Sequence, residues 1–311
     1  MIALSKTTCI VAAVLAVCLF GPSPLGAAQA QAKPWWHDAP AVPERFGVGI
    51  FSTDAEESAL NLTPDGTRVY FARSRVWFPA SRIAAIFQSD RRDAGWSEPV
   101  AAAFSRGFSD VDPVVASDGA TILFSSMRPA DGRPRKDFDL WSVRVHGGGF
   151  APAVHLGAAV NSEADDLYPS VTRDGTLYFG SERAGGWDLY RARPQPDGRY
   201  GAAENLGAPI NTGAWEYNPA VAADGRFIVF TSLDRPGGSG AGDLWISTRE
   251  GDGFGAPKPL AALNTPAEEY HPTLSPDGAT LFFIRRDAAR GQAADFFWVS
   301  LAAVHDGAGK R

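Results

Sequence analysis

The chain has 311 residues, 45% hydrophobic and 21% charged, with a net charge of −6 at neutral pH. That supplies enough apolar residues for a sizeable core, and the mild acidity argues against nucleic acid or an anionic membrane surface as partner. Both cysteines, Cys9 and Cys18, fall near the start, which leaves the rest of the chain without thiol or disulfide chemistry.

Lys6 precedes an apolar run from Cys9 to Phe20, Gly21-Pro22 interrupts it, and Ala28-Gln29-Ala30 has the small-x-small form of a cleavage site. Residues 1–30 therefore read as a secretory signal peptide, and the expected location is periplasmic or secreted. Cleavage removes one charge, Lys6, and leaves a net −7. Lipidation at Cys18 is not expected, because Val17 is too large for a lipoprotein box and Cys18 lies inside the apolar run. No later run approaches membrane-spanning length, so no membrane span is expected. Residues 31–43 are Pro-rich and aperiodic and read as a linker or strap, with Trp35 and Trp36 packed onto the domain rather than binding a ligand.

From residue 44 to residue 301 the chain is a repeat array. Asp-Gly pairs stand at Asp65-Gly66, Asp118-Gly119, Asp174-Gly175, Asp224-Gly225 and Asp277-Gly278, at intervals of 53, 56, 50 and 53 residues. Each pair lies between two β-rich runs, the strongest short-range hairpin signal. A third segment follows in Asp139-Leu140-Trp141, Asp188-Leu189-Tyr190, Asp243-Leu244-Trp245 and Asp295-Phe296-Phe297, and a fourth opens at Trp96, Phe150, Tyr200 and Phe254. Second strands such as Phe227-Ile228-Val229-Phe230 are apolar on both faces, as strands of stacked sheets must be. The pattern predicts an all-β fold, a five-bladed β-propeller of four-stranded antiparallel blades. The last unit lacks a fourth strand, and Glu44-Arg45-Phe46-Gly47 has that look, so the N-terminal strand is expected to close the ring. Residues 302–311 are expected to be a flexible tail.

The units also carry Pro-x-x-Ser-Pro-Asp-Gly before an apolar strand, then Ser-x-Arg, then Asp-Leu-Tyr or Asp-Leu-Trp. The clearest copies are Pro272 to Gly278 with Arg285, and Pro169 to Gly175 with Ser181, Arg183, Asp188, Leu189 and Tyr190. This pattern resembles the WD-like repeats of TolB-type periplasmic propellers, and the resemblance implies the propeller fold across nearly the whole mature chain. It is to the repeats rather than to TolB itself, whose separate leading domain has only residues 31–43 in its place here.

Eight positions before each turn Asp stands an acid: Glu57, Asp110, Asp166, Glu216 and Glu269. In a blade whose first strand is innermost, these would ring one mouth of the central channel. An Arg follows each second strand toward that mouth: Arg75, Arg128, Arg183, Arg235, and Arg285 or Arg286. One reading is a repeated structural pair tying strands and loops together. The sharper reading leaves the acids free as an anionic funnel, which a cation such as calcium would relieve, although no cofactor or metal is called for by any motif.

Specific recognition should come from positions that differ between units. The candidates are Asp112, Asp165, Tyr168, Trp215, Tyr217, Asn218, Glu268, Tyr270 and His271, because aromatics among acids suit a sugar or a peptide. Catalysis has no motif behind it: there is no Gly-x-Ser-x-Gly elbow, no His-Glu-x-x-His and no nucleophile partner for His271. The expected function is an exported, non-catalytic binding or scaffold propeller for an envelope protein, peptide or glycan. The alternative is a glycoside hydrolase-like enzyme using carboxylates of the same mouth.

Overall fold

The structure is a computed structural model that describes residues 33–305 apart from 94, 131, 133 and 292. The signal-peptide reading of residues 1–30 lies outside the described residues.

Each Asp-Gly pair forms a tight turn. The glycine takes a positive φ (+66°, +65°, +86°, +72° and +73° from Gly66 to Gly278), which only a residue without Cβ adopts at no steric penalty. The preceding aspartate accepts the backbone N–H two residues on, as from Thr67 at 3.1 Å and from Ala120 at 2.8 Å.

The turns join the first two strands of five antiparallel sheets. First strands run Glu56–Leu62, Asp110–Val115, Asp166–Val171, Trp215–Val221 and Glu268–Leu274, and second strands Arg68–Ser74, Thr121–Ser126, Leu177–Ser181, Phe227–Leu233 and Thr280–Arg286. Third strands run Ala85–Arg92, Asp139–His146, Asp188–Ala192, Gly242–Glu250 and Asp295–Ser300. Short fourth strands complete each blade, and successive first strands touch one another in a closed cycle, which makes a five-bladed propeller.

The core lies between blades, and the second strands explain why. Along Arg68–Ser74, Val69 and Phe71 pack with Phe282 and Ile284 of the fifth blade, while Tyr70 packs with Ile122 and Phe124 of the second. Leu177 and Phe179 likewise face Leu123, and Tyr178 faces Ile228 and Phe230. Alternate side chains therefore serve two interfaces, which is the reason these strands read as apolar throughout.

The ring closes through the N-terminal strand Glu44–Arg45, which pairs with Asp295–Ser300 in the register Glu44 to Trp298 and Arg45 to Phe297. From Trp35 the Pro-rich lead-in is ordered across the same seam. Trp36 is buried, donates from Nε1 to the Asp277 carboxylate at 3.1 Å, and packs on first- and fifth-blade residues, while Trp35 donates to the Gly66 carbonyl at 3.1 Å. Residues 302–305 of the expected flexible tail are ordered instead: a short helix, Leu301–His305, buries Leu301 and Val304 against Leu281 and Phe283, and apolar burial is what orders it. Residues 306–311 lie outside the described residues.

Candidate functional site

The five repeated acids sit at the beginning of the first strands, but they do not open onto the channel as a funnel. Asp110, Asp166, Glu216 and Glu269 are 0% exposed and Glu57 is 2% exposed. Each meets a guanidinium: Glu57 with Arg73 at 3.1 Å, Asp110 with Arg128 at 2.8 Å, Asp166 with Arg183 at 2.6 Å, Glu216 with Arg235 at 3.4 Å and Glu269 with Arg285 at 2.6 Å. The same arginines donate to backbone carbonyls of the segment arriving from the neighbouring strand: Ile50, Phe104, Val160, Ile210 and Leu263. Four of the acids also accept from a Thr or Ser four residues earlier, as Glu269 does from Thr265 N at 2.9 Å and Oγ1 at 2.6 Å. The repeated unit is thus a joint that fastens each inter-blade connection to the blade it enters. Burial raises the affinity of Glu57, Asp166 and Glu269 for a proton, with the Thr, Ser and Arg partners opposing it.

In the first blade the partner is Arg73, and the expected Arg75 is instead exposed. The reason is register. Asp110, Asp166 and Glu216 lie opposite serines (Ser126, Ser181 and Ser232), with the Arg reaching back from the loop beyond, whereas Glu57 and Glu269 lie directly opposite Arg73 and Arg285. Arg286 meets Glu268 at 3.6 Å instead.

A second repeated feature sits one turn deeper. Each first strand has a register shift, and one residue there takes a left-handed conformation: Ala59 (φ 53°), Asp112 (54°), Tyr168 (61°), Asn218 (50°) and His271 (47°). Left-handed φ is unfavourable for residues such as Tyr and His, and five copies at one level mark a constrained ring. Four of these residues interlock. Asp112 accepts from Tyr168 N at 3.2 Å and Ser125 Oγ at 3.3 Å, and Asn218 Nδ2 lies 3.1 Å from His271 Nδ1, which is 4.0 Å from Asp112. Around them the channel narrows to a space of about 30 Å³. Burial holds the Asp112 carboxyl up to about 7 and pushes the His271 imidazole down to about 3.

Above this constriction opens a cavity of about 390 Å³. Seven aromatic side chains line it, Trp77, Phe78, Tyr168, Trp187, Trp215, Tyr217 and Tyr270, together with Glu56, Asp165, Glu182, Glu268 and His271. Of the residues singled out from the sequence, Asp165, Tyr168, Trp215, Tyr217, Asn218, Glu268, Tyr270 and His271 meet here, while Asp112 lies in the constriction below. Of the five repeated acids, only Glu57 reaches the wall. Trp77 and Trp215 are 41% and 47% exposed and stand at the rim. Tyr168 is seated over Gly180 with Trp187 beside it at 5.2 Å, and a Cβ on Gly180 would lie 3.1 Å from Tyr168 and 3.3 Å from Trp187.

Asp165 is held in place by Arg82, bidentate at 2.7 and 2.8 Å, and by the Phe138 N–H at 2.9 Å. Burial and the charge of Asp165 raise the proton affinity of Glu182, and Arg82 opposes them. Burial likewise raises the pKa values of the phenols of Tyr168, Tyr217 and Tyr270, which keeps them neutral donors. Glu56, Trp77, Phe78, Arg82, Glu182 and Trp187 were not singled out in the sequence reading. They lie beside the aligned positions or in the loops after second strands, so no repeat position flags them. Among the described residues no group of three or more His, Cys, Asp or Glu could hold a metal ion, and no helix is long and apolar enough to cross a membrane.

No protein-family model and no curated protein matches the chain. Among solved structures, the fold superposes on an arabinanase from Bacillus subtilis with a TM-score of 0.54 at 11% identity, covering 80% of this chain and 95% of that one. A candidate TolB from Agrobacterium tumefaciens superposes with a TM-score of 0.53 at 16% identity, covering 81% of this chain and 79% of that one. At such identities the likeness is one of fold, and what the repeats share with TolB-type proteins is the β-propeller itself.

Proposed function

We propose that this chain is an exported binding propeller that seats a short stretch of an envelope protein, peptide or glycan in the aromatic cavity, without chemistry of its own. The observation that carries the reading is the cavity: its size of about 390 Å³ falls in the range of small-ligand sites, and it is walled by rings with a few polar groups between them. Ring faces supply stacking area at little conformational cost, and the buried phenols and carboxylates supply orientation. The five acid–arginine joints keep the blades fixed around it, so the ligand meets a preformed wall.

Tryptophan fluorescence tests this by titration with a panel of short peptides and neutral oligosaccharides. A saturable change is expected for at least one panel member, and Trp215→Ala should weaken it by about tenfold or more, the effect of losing roughly 1.4 kcal/mol. A panel that produces no saturable change, or binding untouched by Trp215→Ala, contradicts the reading.

One observation favours the hydrolytic alternative. Glu182 is a cavity carboxyl with raised proton affinity whose backbone N–H donates to the Asp165 carbonyl at 3.0 Å, so two carboxyl groups with different environments face one space. Turnover of an oligosaccharide that disappears in Glu182→Gln establishes that reading in place of the binding one.

A further inference from the structure

The charges on the cavity wall are unbalanced. Glu57, Asp165 and Glu268 each have an arginine partner: Arg73 at 3.1 Å, Arg82 at 2.7 Å and Arg286 at 3.6 Å. Glu56 and Glu182 do not: among the described residues neither carboxylate has a side-chain hydrogen bond or an ion pair. Both are half-buried, and they approach from different blades, Glu56 from the first strand of the first and Glu182 from just past the second strand of the third.

A half-buried carboxylate without a hydrogen bond or ion pair loses hydration that a more distant charge, as Arg82 is for Glu182, repays only in part, and a ligand that covers it without compensating its charge makes that loss larger. An anionic ligand would be repelled, and a neutral one would desolvate both carboxylates unpaired. The rest of the wall is aromatic, and ring faces attract cations. The chain already uses that attraction at the rim, where the Arg286 guanidinium lies 4.7 Å from the centroid of Trp77.

Resting on the reading of this cavity as the binding site, we propose that it selects an organic cation, an alkylammonium or guanidinium group seated among the rings and countered by Glu56 and Glu182. The occupant is a Lys or Arg side chain of an extended peptide. Trp77 and Trp215 both line the cavity and are both exposed, so a chain passing over this rim can send one side chain in.

The experiment is calorimetric titration of the full chain with blocked Ala-Lys-Ala, its Arg counterpart, the isosteric Ala-norleucine-Ala, 1,5-diaminopentane and xylotetraose. The Lys or Arg peptide is expected to bind at least about tenfold tighter than the norleucine peptide, the value of one charge-assisted contact near 1.4 kcal/mol. Glu182→Gln and Glu56→Gln, singly and together, should erase that preference at unchanged melting temperature. The wild-type Lys-to-norleucine ratio decides the matter even where a variant fails to fold. Diaminopentane binding without peptide binding would overturn the peptide as source and keep the cation. Equal affinity for the Lys and norleucine peptides, or tight xylotetraose binding unchanged by the Gln variants, overturns the cation and leaves the cavity reading standing. No binding by any probe, or binding indifferent to Trp215→Ala, overturns both.

Discussion

Arg128→Ala tests the structural role of the acid–arginine joint. Asp110 is fully buried, and Arg128 meets both of its oxygens at 2.8 and 2.9 Å, donates to Ser126 Oγ at 2.9 Å and to the Phe104 carbonyl at 3.2 Å, and lies 4.7 Å from the centroid of Phe124. Truncation leaves a buried carboxylate without its counter-charge, which costs about 3–5 kcal/mol. The lost carbonyl contact adds on the order of 1 kcal/mol. A loss of about 4–6 kcal/mol is a large fraction of the roughly 5–15 kcal/mol that holds an ordinary domain together. Urea unfolding followed by tryptophan fluorescence reads it as a fall in midpoint at constant slope. The double change Asp110→Leu with Arg128→Met, which removes both charges, should recover most of the loss. Arg75→Ala serves as the control and should stay within about 0.5 kcal/mol of wild type, as exposed positions do. An Arg128→Ala loss below about 1 kcal/mol, or an Arg75→Ala loss equal to that of Arg73→Ala, would refute the pairing argument.

Asp112 supplies a pH prediction. Its carboxyl is held up to about 7 in the folded protein, against about 3.9 in an unfolded chain. As pH falls from about 7 to about 4 the folded state alone takes up this proton, so the contribution to stability grows downward and is lost as pH rises through about 7. His271, pushed down to about 3, works oppositely, because below about 6.5 the unfolded chain binds the proton first and stability falls. Asp112→Asn should therefore remove the first contribution and leave the others in place, so the wild-type advantage over it should grow by up to about 1.4 kcal/mol per unit between pH 7 and pH 4, where a constant difference in urea titrations would contradict the assignment. Trp36→Ala should destabilise the protein by about 3–5 kcal/mol, and hydrogen exchange should quicken along Glu44–Arg45 and Asp295–Ser300, with unchanged exchange there counting against the strap. Gly180→Ala should displace Tyr168 and Trp187 for a loss of about 1–3 kcal/mol and weaken ligand binding, and binding equal to wild type would show that those rings are not part of the contact surface.

The fold was legible because its punctuation is local. Asp174-Gly175 and its copies need a positive φ that Gly meets freely, and the doubly apolar runs such as Leu177-Tyr178-Phe179 leave room only for stacked sheets. The joint was legible as an acid in every unit and as its arginine in four of the five, but not as the first-blade partner. Counting residues from the turn leads to Arg75, whereas cross-strand register places Arg73 opposite Glu57. The bulge that turns Tyr168 and His271 toward the channel leaves no mark in composition, since it appears only as a shift between paired strands. Arg82 was hidden for another reason. It reaches Asp165 across 83 positions of sequence from the short helix Phe78–Ser81, and no repeat-based comparison connects those two loops. What did emerge from the sequence was the class of position: Tyr168, Trp215, Tyr217, Tyr270 and His271 differ between units, and the fold gathers them around one cavity.

The most direct measurement of the central claim blocks that cavity chemically. In a chain with Cys9 and Cys18 changed to Ser, a single cysteine is placed either at Ser58, on the cavity wall, or at Ser117, exposed at the other mouth of the channel, and each protein is alkylated before titration with the panel ligand that saturates the wild type. Alkylation at position 58 is predicted to abolish binding while alkylation at position 117 leaves it intact. Binding that survives the first label, or is lost only with the second, would contradict the assignment of this mouth as the ligand site.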